Sequence, residues 1–235
     1  MIYTYNIVIN LVNFLGEIMK FTFTKEVLLK EMAIAQEIIS NKTAISILSN
    51  VLLIAKEGSL TIRATDIKVA FETKIPVDIA EEGATTVFCD KFTSIIASMP
   101  SGEIEAEQKD QKLIIRSISK KAKFSLKTIS DNDFPPFTDS SNTQFFEVPA
   151  KEFKEMITQT IFAVSDDETR YFMNGVYMEK KENNLIFAAT DGRRLAFIQH
   201  DFGIALPDFK GSIIPPKILS IVQRRSSEEG MISIG

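Results

Sequence analysis

With one cysteine and one histidine in 235 residues, the sequence is poor in the side chains that cross-link secreted domains and hold metals. Cys89 alone cannot close an intramolecular disulfide, and together with His200 it falls short of a zinc-site Cys/His cluster. A reducing, cytoplasmic setting is expected, with no metal and no cofactor. A glycine-rich phosphate loop and a nucleophile elbow are also missing, and neither Cys89 nor His200 has an evident catalytic partner. The most apolar stretch, MIYTYNIVINLVNFLGEI at residues 1–18, is interrupted by Asn6, Asn10 and Asn13 and is short for a bilayer span. It lacks the basic start and small-residue cleavage site of a signal peptide. It reads as an extension outside the fold, ahead of a fresh start at Met19, and no membrane association is expected. Basic charge is in deficit too. The 27 Lys and Arg stand against 31 Asp and Glu, a net charge of −4, which speaks against nucleic acid if the charge is spread evenly.

At 45% hydrophobic and 25% charged, the chain has an ordinary globular make-up, enough for one large domain or two mid-sized ones. Internal repetition chooses two. Lys30-Glu31-Met32 returns as Lys154-Glu155-Met156 and Asn50 as Asn174, both at an offset of 124. Ala64-Thr65-Asp66 returns as Ala189-Thr190-Asp191 at 125, and Asp90 to Ile96 corresponds to Pro216 to Val222 at 126. The extra residue between the second and third anchors is expected in a longer hairpin loop at Lys180 to Asn184.

The local patterns agree within each copy. Phe21 and Phe23 alternate with threonines as in a half-buried strand, and Thr24 suits the N-cap of a helix over Lys25 to Ser40 whose apolar face is Leu28, Met32, Ala35 and Ile39. In the second copy Phe145 to Val148 reads as the strand. Pro149 opens a helix over Lys151 to Val164 with the stripe Phe153, Ile157, Ile161 and Val164. Strands are expected at Val51 to Ala55, Leu60 to Ala64 and Lys68 to Val77, and again at Gly175 to Glu179, Leu185 to Ala189 and Leu195 to Gln199. Short helices follow, one capped by Asp90 and one opened by Pro215-Pro216. The first copy closes with strands Lys112 to Ser117 and Lys123 to Ile129. The second stops at the counterpart of the strand near Glu103. The expected domains are 19–129 and a truncated 144–235, joined by a linker at 130–143.

Lys42-Thr-Ala-Ile-Ser-Ile-Leu48, Ala64-Thr-Asp66, Phe134-Pro135, Arg170-Tyr-Phe-Met-Asn-Gly175 and Ala189-Thr-Asp-Gly-Arg-Arg-Leu-Ala196 resemble, in order and spacing, the motifs of bacterial DNA polymerase III beta sliding clamps. The resemblance runs from Met19 to Gly235. It implies an α+β fold of tandem DNA-clamp domains, each with two helices on antiparallel sheets, and a third copy beyond this sequence. It implies a non-catalytic processivity factor that closes head to tail as a homodimeric ring around duplex DNA. Such a protein is sometimes classed with the DNA-directed DNA polymerases among the nucleotidyltransferases. Its partners are the polymerase III alpha subunit, the clamp loader and other proteins carrying a clamp-binding motif. A ring needs basic groups only on the helices lining its hole, so an acidic total is compatible with DNA, held by weak non-specific phosphate contacts.

Residue by residue, the resemblance assigns DNA contacts to Lys42, Tyr171, Phe172, Lys217, Arg224 and Arg225. It places a partner-peptide pocket at Arg170, Tyr171, Met173, Thr190, Gly192, Arg193, Arg194 and Leu195, and a dimer interface at Lys121, Lys123 and Phe124. Arg193 stands where many relatives carry histidine, and Asp166-Asp167 puts two acids in a loop that approaches DNA elsewhere in the family. Without the family, Thr-Asp-Gly is a turn, one of Tyr171 and Phe172 packs inward from a strand, and edge lysines guard against unwanted pairing. Two other readings remain: a duplicated hydrolase using Asp66 and Asp191, and a truncated product that binds partner peptides weakly without forming rings.

Overall fold

The computed structural model describes residues 19–39, 45–137, 143–167 and 169–235. The expected extension at 1–18 and Lys42 therefore lie outside the described residues. The chain divides into two compact units between Pro135 and Pro136.

In the first unit, β1 (Lys20–Thr24) leads into α1 (Lys25–Ile38), followed by β2 (Asn50–Lys56), β3 (Ser59–Thr65), β4 (Ala70–Pro76), β5 (Asp78–Glu81), β6 (Gly83–Phe88), α2 (Cys89–Ser98), β7 (Glu103–Lys109), β8 (Lys112–Ser117) and β9 (Lys123–Ile129). The strands form one antiparallel sheet in the order β4-β3-β2-β6-β9-β8-β7-β1-β5. Leu28, Met32, Ala35 and Ile38 of α1 and Phe92 and Ile96 of α2 are buried, as are Leu53, Leu60, Ile62, Leu113 and Ile115 of the strands. These helix positions recur at three or four residues and the strand positions at two, the periods each element needs to bury one face.

The second unit holds β10 (Phe146–Pro149), α3 (Ala150–Thr160), β11 (Val176–Lys181), β12 (Asn184–Thr190), β13 (Leu195–Asp201), β14 (Ser212–Ile214), α4 (Pro216–Arg225) and β15 (Met231–Ile234). Its strands form a sheet β13-β12-β11-β14 and a separate pair β10-β15. Phe153 of α3 meets Phe187 of β12 edge to face at 5.3 Å in a core with Ile157, Val176, Leu185 and Leu219. The class is α+β in both units.

The repeat is present, in a register that differs from three of its four sequence anchors. Lys25 donates its backbone N–H to Gly102 O at 3.2 Å, and Ala150 does the same to Gly230 O at 2.9 Å. That sets α1 on α3 at an offset of 125, which lays buried Leu28 on Phe153 and Met32 on Ile157. An offset of 124 would lay Leu28 on half-exposed Glu152. Thr65 faces Ala70 as Thr190 faces Leu195, again at 125. The two hairpins pair Lys56 with Ser59 and Lys181 with Asn184, so both turns have two residues and the expected longer loop is absent. The offset grows later, between β13 and β14. Helices α2 and α4 start at Cys89 and Pro216, an offset of 127 that lays buried Phe92 on buried Leu219.

Other expectations shift at element ends. α1 stops at Ile38 rather than Ser40. α3 stops at Thr160 and a single 3-10 turn, Ile161–Ala163, follows, so Met156 and Thr160 complete the buried stripe in place of Ile161 and Val164. Thr24 sits at the N-cap without a side-chain cap bond. Asp90 lies inside the first turn of α2, whose N-cap is Phe88, and accepts instead from Gln36 Nε2 at 2.8 Å. Lysines supply C-terminal caps across each helix pair: Lys25 Nζ donates to Ala97 O and Met99 O, and Lys154 Nζ to Ser226 O, where a cation also meets the negative end of the helix.

Candidate functional site

The strongest local design in the second unit is the turn joining β12 to β13. Thr190 Oγ1 donates to Arg194 O at 2.7 Å and accepts from Gly192 N. Asp191 Oδ1 accepts from the backbone N–H groups of Arg193 and Arg194 at 2.9 and 3.1 Å, while its Oδ2 takes Arg194 Nε at 3.0 Å. Gly192 has φ +86°. The first unit builds the same turn from Thr65 and Asp66. Thr65 Oγ1 donates to Val69 O and accepts from Ile67 N, Asp66 Oδ1 accepts from Val69 N, and Ile67 stands at φ +77°. The paired aspartates are thus repeated turn acceptors, which removes the structural basis for reading them as duplicated catalytic acids. Among the described residues no cluster of three or more His, Cys, Asp or Glu could hold a metal.

The turn holds Arg194 and frees its neighbours. Arg194 Nη2 donates to Phe162 O at 2.7 Å and the guanidinium lies 5.5 Å from the Phe162 ring, a cation–π contact. Arg193 is exposed, and its side chain has no partner among the described residues. Leu195 is 70% exposed although it opens a strand. The Met173 methyl comes to 3.4 Å from where a Cβ on Gly192 would lie, an ordinary contact distance, so the two segments lie side by side.

Met173 is delivered by the segment after α3. Its N–H donates to Arg170 O, its carbonyl accepts from Ser165 N, and Asn174 Nδ2 donates to Ser165 O. Asp167 accepts from both the N–H and the hydroxyl of Thr169 and pairs with Arg170 at 3.3 Å, so its charge is spent within the loop. This stretch is a turn rather than a strand. Neither of its aromatics packs inward: Tyr171 is 77% and Phe172 58% exposed, with their rings edge to face at 5.5 Å. Met173, Thr190, Gly192, Arg194 and Leu195 are thus brought to one corner of the unit, with Arg193 beside them and Arg170 held to the loop. Phe162, also at this corner, was not foreseen. Its signal is an aromatic placed just where the apolar stripe of α3 ends.

The carboxyl of Asp191 is held below the ordinary aspartate range by the backbone N–H groups of Arg193 and Arg194, aided by the Arg194 side chain. Such a depressed group stabilises the folded turn above its unfolded pKa, and that stability is lost only as pH falls through the lower folded value. A carbon-detected titration of the Asp191 carboxyl is therefore expected to show a midpoint below that of an unstructured aspartate. An unshifted midpoint would mean that the turn is not formed in solution.

The remaining site residues are more dispersed. Arg224 and Arg225 occupy the last turn of α4 and Lys217 its first, with Arg224 Nε donating to Ser220 O. Lys121 lies in the bend before β9 and not on the strand. Lys123 and Phe124 begin β9, where residues 123–127 pair with β8 and only Thr128 and Ile129 pair with β6 on the other side. Phe124 continues the face of buried Leu126 yet is 40% exposed. His200, which had no evident partner in sequence, has Nε2 3.1 Å from Glu152 Oε2 and stacks edge to face on Phe202. Cys89 is buried, and burial pushes its thiol up to about 12, with Asp90 adding to the shift. It is therefore unsuited to nucleophilic work. Among the described residues no helix is long and apolar enough to cross a membrane.

Comparison with known proteins places these elements in a family context. Residues 19–138 match the model of the DNA polymerase III beta subunit, N-terminal domain, and residues 147–235 that of its central domain. The beta sliding clamp of Treponema pallidum is 45% identical over 216 residues, covering 92% of this chain and 58% of that protein. That of Pseudomonas aeruginosa is 30% identical over 219 residues, covering 92% and 59%. Among solved structures, the DNA polymerase III subunit beta of P. aeruginosa superposes with a TM-score of 0.83 at 30% identity, and the sliding clamp of Bacillus subtilis with 0.84 at 27%. Each covers 92% of this chain, which spans 59% of either.

Proposed function

The chain belongs to the DNA polymerase III beta subunit family, and from that premise we propose that it serves as a non-catalytic sliding clamp component in DNA replication, capturing short peptides at the Thr190–Leu195 corner. The observation that carries the reading is the combination at one turn of exposed Leu195, the Met173–Gly192 contact and the unpartnered Arg193 cation. An extended peptide with an apolar side chain and a nearby carboxylate suits that surface, since apolar burial supplies affinity and the arginine supplies register. Arg170, Thr190 and Arg194 support the corner through the turn and loop bonds described above. The family relatives are named as sliding clamps, and the polymerase III alpha subunit, the clamp loader and other motif-bearing proteins are the proposed partners.

Encirclement of duplex DNA by a homodimer belongs to the same proposal. Lys217, Arg224 and Arg225 of α4, the exposed aromatics Tyr171 and Phe172, and Lys42 from outside the described residues are its DNA contacts. Lys121, Lys123 and Phe124 are its dimer edge. The proposed domains are 19–129 and 144–235, with 130–143 as linker and 1–18 as an extension.

Fluorescence anisotropy with a labelled clamp-binding peptide tests the site. Leu195→Ala is expected to weaken binding about tenfold, roughly 1.4 kcal/mol, because it removes an apolar wall without touching the turn. Equal affinity for the variant, or no binding by the unaltered chain, would sink the assignment of this corner. Sedimentation of the same sample separates a ring-forming subunit from a monomeric peptide binder.

A further inference from the structure

Packing places a chemically labile dipeptide in the segment that delivers Met173. Asn174-Gly175, just before β11, is the one Asn-Gly pair in the sequence, and the structure calls for both residues. A Cβ on Gly175 would stand 2.5 Å from Ile213 Cγ2 and 2.7 Å from Ile214 O of β14, so a residue with a side chain does not fit. Asn174 Nδ2 donates to Ser165 O at 2.8 Å, while Ser165 N donates to Met173 O at 3.0 Å. Both backbone polar groups of Ser165 are thus tied to the turn that carries Met173, and the Asn174 amide is the donor in one of the two ties.

We propose that Asn174 is a deamidation site, converted by water to aspartate and isoaspartate, and that the conversion releases Met173 from the corner. With no Cβ on the following residue, the backbone nitrogen of Gly175 has open access to the Asn174 side-chain carbonyl carbon. That nitrogen loses its proton to solvent base and bonds to Cγ, and the Cγ–Nδ2 bond breaks to release ammonia. One water then opens the five-membered imide. Attack at Cγ restores the main chain as aspartate, and attack at the backbone carbonyl carbon leaves the chain running through the side chain as isoaspartate. Amide and water give carboxylic acid and ammonia, with no change of oxidation state. Two other sites mark the contrast. Asn50 donates its Nδ2 to Thr86 Oγ1 at 3.1 Å but is followed by Val51, whose branched side chain hinders the attack. Asp191 precedes Gly192, but its carboxylate is held ionised by the N–H groups of Arg193 and Arg194, and an ionised carboxylate is a poor electrophile.

The product does not fit the place of the asparagine. An ionised aspartate only accepts, so position 174 would set a negative oxygen against Ser165 O where a donor stood. Loss of that bond, with two acceptors facing each other, loosens the second tie between Ser165 and Met173. Isoaspartate adds a methylene to the main chain and moves Gly175 out of its close fit against Ile213 and Ile214. The modification stands on this geometry alone, whereas its effect on peptide capture rests on the role proposed for the corner.

The test incubates the whole chain in mildly alkaline buffer and maps its peptides by mass spectrometry. Conversion at Asn174 is expected to run roughly tenfold or more faster than at Asn50, Asn132 and Asn184, with isoaspartate formed beside aspartate. This measurement needs no variant. In Asn174→Asp, amide exchange at Ser165 is expected to speed up about tenfold, with exchange at Arg193 and Arg194 in the β12–β13 turn unchanged, and affinity for the labelled peptide to fall about tenfold. Conversion at Asn174 no faster than at Asn50, conversion in the urea-unfolded chain with none in the folded one, or unchanged exchange at Ser165 would each overturn the proposal. Conversion and loss of protection at Ser165 in a chain that binds no peptide in unaltered form would uphold the modification site and sink the peptide role.

Discussion

Replacing Phe187 by alanine is expected to lower the stability of the second unit by about 3–5 kcal/mol, the range for emptying a buried aromatic site. Phe187 is fully buried, sits between Met178 and Ile198 in the sheet, and meets Phe153 edge to face at 5.3 Å. The ring loses its transfer energy, and the cavity cannot close because Phe153 and Leu185 are held by α3 and β12. A small domain has only about 5–15 kcal/mol in total, and this unit keeps its strands in two separate sheets with half-exposed isoleucines at their margins. Calorimetry should therefore show the second unit's transition falling by roughly 10 °C or more, with the first unit's transition in place. A shift of both transitions together would show that the two units do not unfold independently.

The counterpart of Phe187 at the offset of 125 is Ile62, and of Phe153, Leu28, all four buried. That conservation of burial without conservation of identity explains how far the sequence could be read. Strand and helix periods, the Pro149 and Pro215 helix starts and the duplicated Ala-Thr-Asp were legible because each depends on neighbours within a few residues. The register was not, because identical tripeptides such as Lys-Glu-Met mark a solvent face as readily as a buried one. Met32 aligns with Ile157 in the structure, while Glu31 falls opposite buried Met156. What fixes the true alignment is non-local: the bonds from Lys25 to Gly102 and from Ala150 to Gly230. The corner proposed to bind peptides divides in the same way. Thr190, Asp191 and Gly192 form a turn that sequence chemistry anticipates. The approach of Met173 to Gly192 and of Arg194 to Phe162 depends on α3 stopping at Thr160, which its apolar stripe did not reveal.

Gly192→Val is expected to reduce peptide affinity more than tenfold and to destabilise the second unit by about 2 kcal/mol, while Ile67→Gly at the equivalent turn is expected to stabilise the first. Both positions have left-handed backbone, φ +86° at Gly192 and +77° at Ile67. A residue with a Cβ loses roughly 1–2 kcal/mol there, and a branched one is the least suited. At Gly192 an added Cβ would stand at ordinary contact distance, 3.4 Å, from the Met173 methyl, so the two further methyl groups of valine are what would crowd the apolar wall on which the proposed peptide rests. At Ile67 the side chain is 67% exposed and contributes little burial, so its removal gives up little. Glycine there relieves the strain at some cost in unfolded-chain entropy, leaving a net gain of about 0.5–1 kcal/mol. Urea midpoints for the two transitions and anisotropy with the same labelled peptide read out both variants. Unchanged affinity in Gly192→Val would separate the peptide site from the Met173–Gly192 contact. A loss of stability in Ile67→Gly would show that the isoleucine is held at positive φ by a packing partner worth more than the strain. The two results together decide whether one turn, built twice by the same Thr-Asp bonds, is opened for binding in the second unit by the choice of glycine alone.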